Sequence, residues 1–134
     1  MRFNSGQIQK IGKEISSKVE GKTLFDEFSR GRYSTDASVY QIKPLGVVLP
    51  KDANDVLNIM DYSQRNSIPL LARGGGSSQC GQTVGESVVL DYSKHQNKIL
   101  ELRQNKFPKP GQNKFPEPGQ NNRLCQFISQ IFCS

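Results

Sequence analysis

The sequence predicts a mixed fold of helices and strands, of the α+β or α/β class, in which an N-terminal helix precedes a βαββ lobe. Three observations predict it. Apolar residues recur at helical spacing near the N-terminus, short apolar runs alternate with a helical pattern over residues 46–91, and residues 104–119 repeat a proline-rich motif. We therefore expect a helix and an extended arm over residues 1–44, the lobe over residues 45–103, and a disordered tail over residues 104–134.

The N-terminal region is predicted to begin with an amphipathic helix. Ile8, Ile11, Ile15 and Val19 recur at helical spacing, and Gly21 is a plausible end of the helix. Residues 22–44 have no clean period and are rich in hydroxyl groups and turn formers. We expect this segment to be extended and partly irregular.

The lobe is predicted to begin with a strand and a helix. Residues 46–50 form a short apolar run that ends at a proline. Asp52 follows as a predicted N-cap, and Asp55, three residues later, completes a sequence that resembles a capping box. The predicted helix has one face with a spacing of three or four residues, formed by Val56, Leu57, Met60 and Ser63.

Two more apolar runs, residues 68–72 and 87–91, predict two further strands. Residues 66–67 separate the helix from the first of these. Strand, helix and strand with short connections form a βαβ unit, so the first two strands should be parallel. Residues 98–102 alternate apolar with charged side chains, as a half-exposed strand does.

The C-terminal tail repeats Gln-Asn-Lys-Phe-Pro, any residue, Pro-Gly at positions 104–111 and 112–119. Two prolines and a glycine in each unit exclude a helix or a strand ladder, so we expect an extended or disordered segment. A proline-rich repeat can also be a docking motif for a partner protein. That alternative stays open at this point.

The charge of the chain gives little support to nucleic-acid binding. The net charge is +6, but it divides into +3 over residues 1–45, zero over residues 46–103 and +3 over residues 104–134. No basic block or stripe emerges, and the best-patterned segment is neutral. We expect no nucleic-acid partner.

The cysteines give little support to a disulfide framework or a metal site. Cys80, Cys125 and Cys133 have no paired spacing, and the single His95 is far from each of them in sequence.

The polar N-terminus lacks an apolar signal core, and no run approaches the roughly 20 apolar residues of a membrane span. We expect a cytoplasmic chain with no metal and no membrane span.

A glycine-rich loop over residues 73–85 is the strongest functional pattern in the sequence. Three consecutive glycines follow a predicted strand, and such backbone can bring several N–H groups close to an anion. Ser77, Ser78 and Gln82 add side-chain donors, and Arg73 adds a cation. The pattern predicts a phosphate or pyrophosphate site; the alternative is a flexible glycine turn.

Two familiar phosphate-binding loops do not match. Gly76 and Gly81 have the spacing of a P-loop, but Gln82 replaces its lysine and a strand pattern follows in place of a helix. Gly74 begins a dinucleotide-binding fingerprint, yet Gln79 stands where the third glycine belongs, and no helix follows. The loop is therefore a strand–glycine–strand phosphate site of another kind.

Residues 73–82, preceded by residues 68–71 and followed by residues 88–91, resemble the FAD pyrophosphate loop of the vanillyl-alcohol oxidase / p-cresol methylhydroxylase flavoprotein family. Residues 33–38 and 93–97 are similar to the branch that holds D-lactate dehydrogenase and glycolate oxidase FAD subunits. The resemblance covers residues 22–102. It implies that the lobe is the first part of a p-cresol methylhydroxylase-type FAD-binding domain.

The resemblance implies FAD bound without a covalent link, because relatives that tether the flavin through this loop have a histidine where Ser77 stands. The cofactor-binding residues that it implies are Gly74, Gly75, Gly76, Ser77, Ser78, Gly81 and Gln82. The first five would contact the pyrophosphate, and Gln82 would lie on the flavin side. Arg73 would hold the loop, and His95 would have no catalytic role, so we expect no catalytic residue in this chain.

The departures from the family lead to the functional expectation. The family's FAD domain continues well beyond Leu102, and a separate domain takes the substrate, whereas here the repeat begins at Gln104. We expect the N-terminal fragment of an FAD-dependent D-2-hydroxyacid dehydrogenase, a truncated product with little activity alone. The alternatives are a half-module completed by a separate chain and a small interaction protein that acts through its proline-rich repeat. The substrate and the electron acceptor stay open.

Overall fold

The computed structural model describes residues 3–96. These residues form a four-stranded sheet with three helices, in the order α1 (Ser5–Ser16), β1 (Lys22–Leu24), α2 (Glu27–Arg32), β2 (Gly46–Leu49), α3 (Ala53–Asn66), β3 (Leu70–Arg73) and β4 (Val88–Asp91). The strand order across the sheet is β1-β2-β4-β3. Strands β2, β4 and β3 are parallel, and β1 pairs antiparallel with β2. The predicted mixed class with an N-terminal helix is confirmed.

The two central strands form the core of the sheet. Every residue of β2 and β4 is buried, in a register that pairs Val47 with Val89 and Val48 with Leu90. Continuous apolar runs are typical of parallel strands that are covered on both faces. The predicted parallel arrangement is confirmed, and β4 lies between the two strands that α3 connects.

Helix α1 ends earlier than the spacing of its apolar residues predicts. Asn4 and Gln7 form a capping box, in which each side chain accepts a hydrogen bond from the other's backbone N–H. The helix ends at Ser16, so Val19 lies beyond it, while Ile8, Ile11 and Ile15 are buried as predicted.

The segment predicted as an extended arm contains two regular elements. Strand β1 pairs Lys22 with Leu49 and Leu24 with Val47, and α2 begins at the N-cap Asp26, whose carboxylate accepts from the Ser29 N–H. Both elements are too short to show a period in sequence, and β1 depends on pairing with a strand more than 20 residues away. The pairing of β1 with β2 therefore defines a strand that the local sequence pattern does not predict.

Helix α3 has the predicted N-cap but only half of the predicted capping box. Asp52 accepts hydrogen bonds from the N–H groups of Asn54 and Asp55. The Asp55 carboxylate does not return to Asp52; it accepts from the N–H groups of Glu20, Gly21 and Lys51. The capping-box prediction was wrong in this half, because three backbone donors from neighbouring loops occupy that carboxylate.

The buried face of α3 is also rotated from the predicted one. Val56 and Ser63 are buried as predicted, but Leu57 is 48% exposed, and Ile59 and Tyr62 are buried instead. Apolar residues occur on two sides of this helix, and only its packing decides between them. The helix ends at residue 66 as predicted, with Ser67 in the left-handed conformation at φ 53°.

The predicted strand over residues 98–102, the repeat tail, Cys125 and Cys133 lie outside the described residues. The longest helix among residues 3–96 has 14 residues, and none there is long and apolar enough to cross a bilayer. Within the same range, no group of three or more His, Cys, Asp or Glu side chains could hold a metal ion.

Candidate functional site

The glycine-rich loop connects β3 to β4 and begins at the carboxyl edge of the parallel strands. Arg73 ends β3 and pairs in register with Asp91 at the end of β4. In open sheets of parallel strands, ligands bind outside this edge, where the loops leave the strands. The fold therefore places the predicted phosphate loop where such sheets bind their ligands.

Two glycines of the loop are required by its own conformation. Gly76 has φ 67° and Gly81 has φ 74°, values that side-chain-bearing residues rarely adopt. A Cβ at Gly76 would also clash with the Arg73 guanidinium, and one at Gly81 would clash with the Tyr40 ring. These two positions need no ligand to explain them.

Gly74 and Gly75 are different. Both are exposed, neither has a positive φ, and a Cβ at either would have no heavy atom within 4 Å. Among residues 3–96, the N–H groups of Gly74, Gly75 and Ser77 have no hydrogen-bond acceptor. A stretch of backbone that is kept free of side chains and presents unused donors fits an anion that approaches it closely.

The second half of the loop is held by Ser78. Its hydroxyl accepts from the N–H groups of Cys80 and Gln82, at 3.3 Å each, and donates to the Gln82 side-chain oxygen at 3.2 Å. The side chains of Ser77, Gln79 and Cys80 are exposed. Ser78 therefore shapes a turn, while Ser77 keeps its side chain free for a ligand.

Arg73 joins the two ends of the loop. Its guanidinium donates to the backbone oxygens of Thr83, at 3.2 Å, and Thr35, at 2.9 Å. It also lies over the Tyr33 ring, 5.2 Å from the centroid. With its donors directed at the protein's own backbone, Arg73 holds the loop, the role that the resemblance implies for it.

Residues 33–40, which we call the brace, lie against the loop. The Asp36 carboxylate accepts from the Thr83 hydroxyl at 2.9 Å, and the Ala37 N–H donates to the Gly76 oxygen at 3.1 Å. The isolated bridge between Thr35 and Gln41 closes the brace on itself. Sequence reasoning did not assign the brace to the site; the only indication was that residues 33–38 belong to the resemblance.

The electrostatics of the site follow from these contacts. Hydrogen bonds from Ser38, and then from Thr83, lower the pKa of Asp36 to about 2, so it is a carboxylate at neutral pH. Burial, together with a 2.6 Å hydrogen bond to Asp91, raises the pKa of Tyr33 to about 12. His95 is exposed in the turn after β4.

Comparison with known proteins gives the family of the domain. Residues 44–107 match the family model described as "FAD binding domain". The chain is 36% identical over 90 residues to the D-2-hydroxyglutarate dehydrogenase of Pseudomonas putida, which corresponds to 65% of this chain and 9% of that protein. It is 34% identical over 99 residues to the glycolate oxidase subunit GlcD of Bacillus subtilis, or 71% of this chain and 21% of that protein.

The structure of p-cresol methylhydroxylase with substrate bound has the same fold over 75% of this chain and 21% of its own, with a TM-score of 0.54 and 16% identity. The Physcomitrella patens BBE-like 1 structure matches over 59% of this chain and 18% of its own, with a TM-score of 0.50 and 21% identity.

The fold, the loop and these matches define an FAD-binding domain of the p-cresol methylhydroxylase type, whose cofactor is FAD. Within that class, the relatives described above are a D-2-hydroxyglutarate dehydrogenase and a glycolate oxidase subunit, to which this chain is similar. It spans only 9% and 21% of the lengths of the two relatives described.

Proposed function

We propose that the loop holds the FAD pyrophosphate without a covalent link, through Gly74, Gly75, Gly76, Ser77 and Ser78. Gly81 and Gln82 complete the proposed cofactor-binding set, with Gln82 on the flavin side. One observation carries the proposal: Gly74 and Gly75 have space for a side chain and no positive φ, yet both are glycines. Close approach of a ligand to the backbone accounts for both. Ser77 presents a hydroxyl, which gives no imidazole for attachment to the flavin.

The donors of the loop divide into two groups under this proposal. The N–H groups of Gly74, Gly75 and Ser77 are unused among the described residues and would bind the phosphates directly. Gly76, Ser78 and Gly81 would also give the loop its shape, because the two glycines have positive φ and close neighbours and the Ser78 hydroxyl accepts from the N–H groups of Cys80 and Gln82. Backbone N–H groups in a fixed hollow bind anions without a lysine or a metal ion.

For the whole protein to which this lobe belongs, we propose the oxidation of a D-2-hydroxyacid. Bound FAD would supply the hydride acceptor. Under this proposal, residues in the range 3–96 bind the cofactor, and we assign none of them to the substrate. We therefore expect this chain alone to bind FAD and to have little dehydrogenase activity.

A half-module completed by a separate chain is the second candidate. Tyr40, whose ring lies against Gly81, is 55% exposed, and its neighbours in sequence Val39 and Ile42 are 95% and 37% exposed. Exposed apolar residues beside a cofactor site favour a covering partner, and the remainder of the flavin domain is the expected one. Tighter FAD binding when such a chain is added would support this candidate.

The test of the proposed function adds a side chain at Gly75. Because a Cβ there meets nothing within 4 Å, Gly75→Ala and Gly75→Val should leave the melting temperature of the free chain within a degree or two. Gly75→Val should weaken FAD binding at least about tenfold, since the branched side chain keeps the phosphate away from the N–H groups. Fluorescence titration of the full chain with FAD gives both affinities.

Gly31→Ala is the matched control, because Gly31 is also exposed and has no atom within 4 Å of a Cβ. It should bind FAD as the unmodified chain does. Equal affinity in Gly75→Val and Gly31→Ala would contradict the proposed site.

A further inference from the structure

We infer that the brace positions the glycine loop for pyrophosphate binding, and that Asp36 is the positioning residue at its centre. This inference deepens the proposed FAD binding and rests on it. The brace contributes no group that we assign to the cofactor; it acts through the loop.

The brace contacts the loop at three points. Near the start of the loop, Ala37 donates its N–H to Gly76. In the middle, the Tyr40 ring lies against Gly81, at the position where any side chain on Gly81 would clash. At the end, the Asp36 carboxylate accepts from the Thr83 hydroxyl. Both positive-φ glycines of the loop are therefore in contact with the brace.

Arg73 connects the same two segments from the sheet side. It donates to the Thr35 oxygen in the brace and to the Thr83 oxygen at the end of the loop. Thr83 is thus held through its hydroxyl by Asp36 and through its carbonyl by Arg73. A residue fixed at two groups is a firm anchor for the glycine-rich stretch that precedes it.

This anchoring matters because glycine backbone loses more conformational freedom on ordering than any other. A loop that the ligand itself had to order would bind more weakly by that cost, whereas a pre-ordered loop avoids it. Gly74 and Gly75 have no packing contacts of their own at the Cβ position. Arg73 and Gly76, each hydrogen-bonded outside this stretch, flank these two glycines, and Thr83 anchors the end of the loop beyond Ser77. These anchors hold the free donors in place.

The charge of Asp36 allows a test of the inference, because two explanations predict opposite changes in FAD affinity when the charge is removed. Asp36 is ionised at neutral pH, and a carboxylate near a pyrophosphate would repel it if direct electrostatics governed binding. Removal of the charge would then strengthen FAD binding. If Asp36 acts by ordering Thr83 and the loop, its removal weakens binding instead.

The experiment uses the full chain and compares Asp36→Ala, Thr83→Val and the double variant in titrations with FAD, ADP and adenosine. Thr83→Val, which loses the charge-assisted hydrogen bond of the hydroxyl, should bind FAD and ADP about tenfold more weakly. Asp36→Ala should bind at least as weakly, because its carboxylate also accepts from the N–H groups of Ser38 and Thr83. The double variant should be no weaker than Asp36→Ala alone, because Asp36→Ala already removes the acceptor of the Thr83 hydroxyl. Adenosine, which has no phosphate, should bind each variant as it binds the unmodified chain.

Thr83→Ser keeps the hydroxyl and should restore the affinity for FAD and ADP, which a role of the threonine methyl in packing would not predict. Val39→Ala, at a 95% exposed position of the same segment, is the matched control and should change nothing. Thermal melts show which variants are folded; should Asp36→Ala not fold, the comparison of Thr83→Val with Thr83→Ser carries the test.

Unchanged or tighter FAD binding by folded Asp36→Ala, or by Thr83→Val, would overturn the inference while leaving the proposed function intact. A parallel loss of adenosine binding would also overturn it, since the effect would then be general. Failure of the unmodified chain to bind either FAD or ADP would instead contradict the proposed function itself.

Discussion

At the scale of single residues, the glycines of the loop have two distinct causes. Gly76 and Gly81 are required by positive φ angles and by close neighbours, so they would be glycine without any ligand. Gly74 and Gly75 have neither requirement. Substitutions at the first pair should therefore destabilise the loop, and substitutions at the second pair should affect only what binds to it.

Asp55 is the residue whose loss should cost the fold most clearly. It is 3% exposed, and its carboxylate accepts from three backbone N–H groups, those of Glu20, Gly21 and Lys51. Asp55→Ala leaves these donors without their acceptor and should lower the free energy of unfolding by about 3 kcal/mol. Urea denaturation followed by circular dichroism measures it.

The control for Asp55 is Asp61→Ala in the same helix. The Asp61 side chain is 59% exposed and, among residues 3–96, pairs only with Arg65, so its loss should cost less than about 0.5 kcal/mol. Similar losses in the two variants would show that Asp55 is not the anchor that its contacts indicate.

At the scale of elements, the Phe25 ring fills the space between Gly12 of α1 and Gly46 of β2. A Cβ at Gly12 would lie 2.7 Å from the Phe25 Cγ, and a Cβ at Gly46 in β2 would clash with the same ring. Phe25 therefore occupies space left by a glycine on each side. In the sequence, Gly12 only lowers the helix propensity of α1. The structure shows that the Phe25 ring leaves no space for a side chain at this position.

Two alanine substitutions in α1 should consequently have opposite effects. Gly6→Ala, whose Cβ would approach nothing closer than 3.5 Å, should raise the free energy of unfolding by about 0.5–1 kcal/mol through helix propensity. Gly12→Ala gains the same propensity but should lower the stability by about 1–3 kcal/mol, because Phe25 must move. Urea denaturation of both decides the matter; stabilisation by Gly12→Ala would refute the packing explanation.

At the scale of the whole molecule, several large apolar side chains within residues 3–96 are exposed. Among them, Phe28 lies in α2 and is 75% exposed, whereas Val39 and Tyr40 lie in the brace and are 95% and 55% exposed. The Tyr40 ring lies against Gly81 of the candidate loop. An exposed apolar residue at this position agrees with the half-module candidate.

Asp36 and Asp55 are two of the carboxyl groups on which the acid stability of the molecule should depend. Hydrogen bonds lower the pKa of Asp36 to about 2. For Asp55, burial acts to raise the pKa, but backbone hydrogen bonds outweigh it and the pKa is lowered. A lowered folded-state pKa contributes stability that is present above the unfolded value, near 3.8, and is lost as the pH falls through the folded value.

The free energy of unfolding should therefore fall as the pH is lowered from about 4 toward about 2, as measured by urea denaturation at a series of pH values. Asp36→Asn and Asp55→Asn should each make this fall shallower. Glu86→Gln, at an exposed carboxyl group, should leave its steepness unchanged. An equally steep fall in all three variants would contradict this assignment.

The sequence by itself determined the regular elements of the lobe and the position of the candidate loop. Apolar runs long enough to show their pattern predicted β2, β3 and β4, and a capped helical pattern predicted α3. Three consecutive glycines between two predicted strands located the loop, because such a run of glycines is recognised from the sequence alone. The sequence did not determine which side of α3 is buried, where Ile59 and Tyr62 replace Leu57.

Only the tertiary structure decided the roles that depend on distant contacts. Strand β1 exists through its pairing with β2, Asp55 serves loops rather than its own helix, and the brace meets the glycine loop more than 40 residues away in sequence. Each of these contacts is a hydrogen bond or a packing contact between segments that share no local pattern. The residue types of a segment indicate which helix, strand or turn it can form. The segment that supplies its hydrogen-bond and packing partners is defined only once the chain has folded.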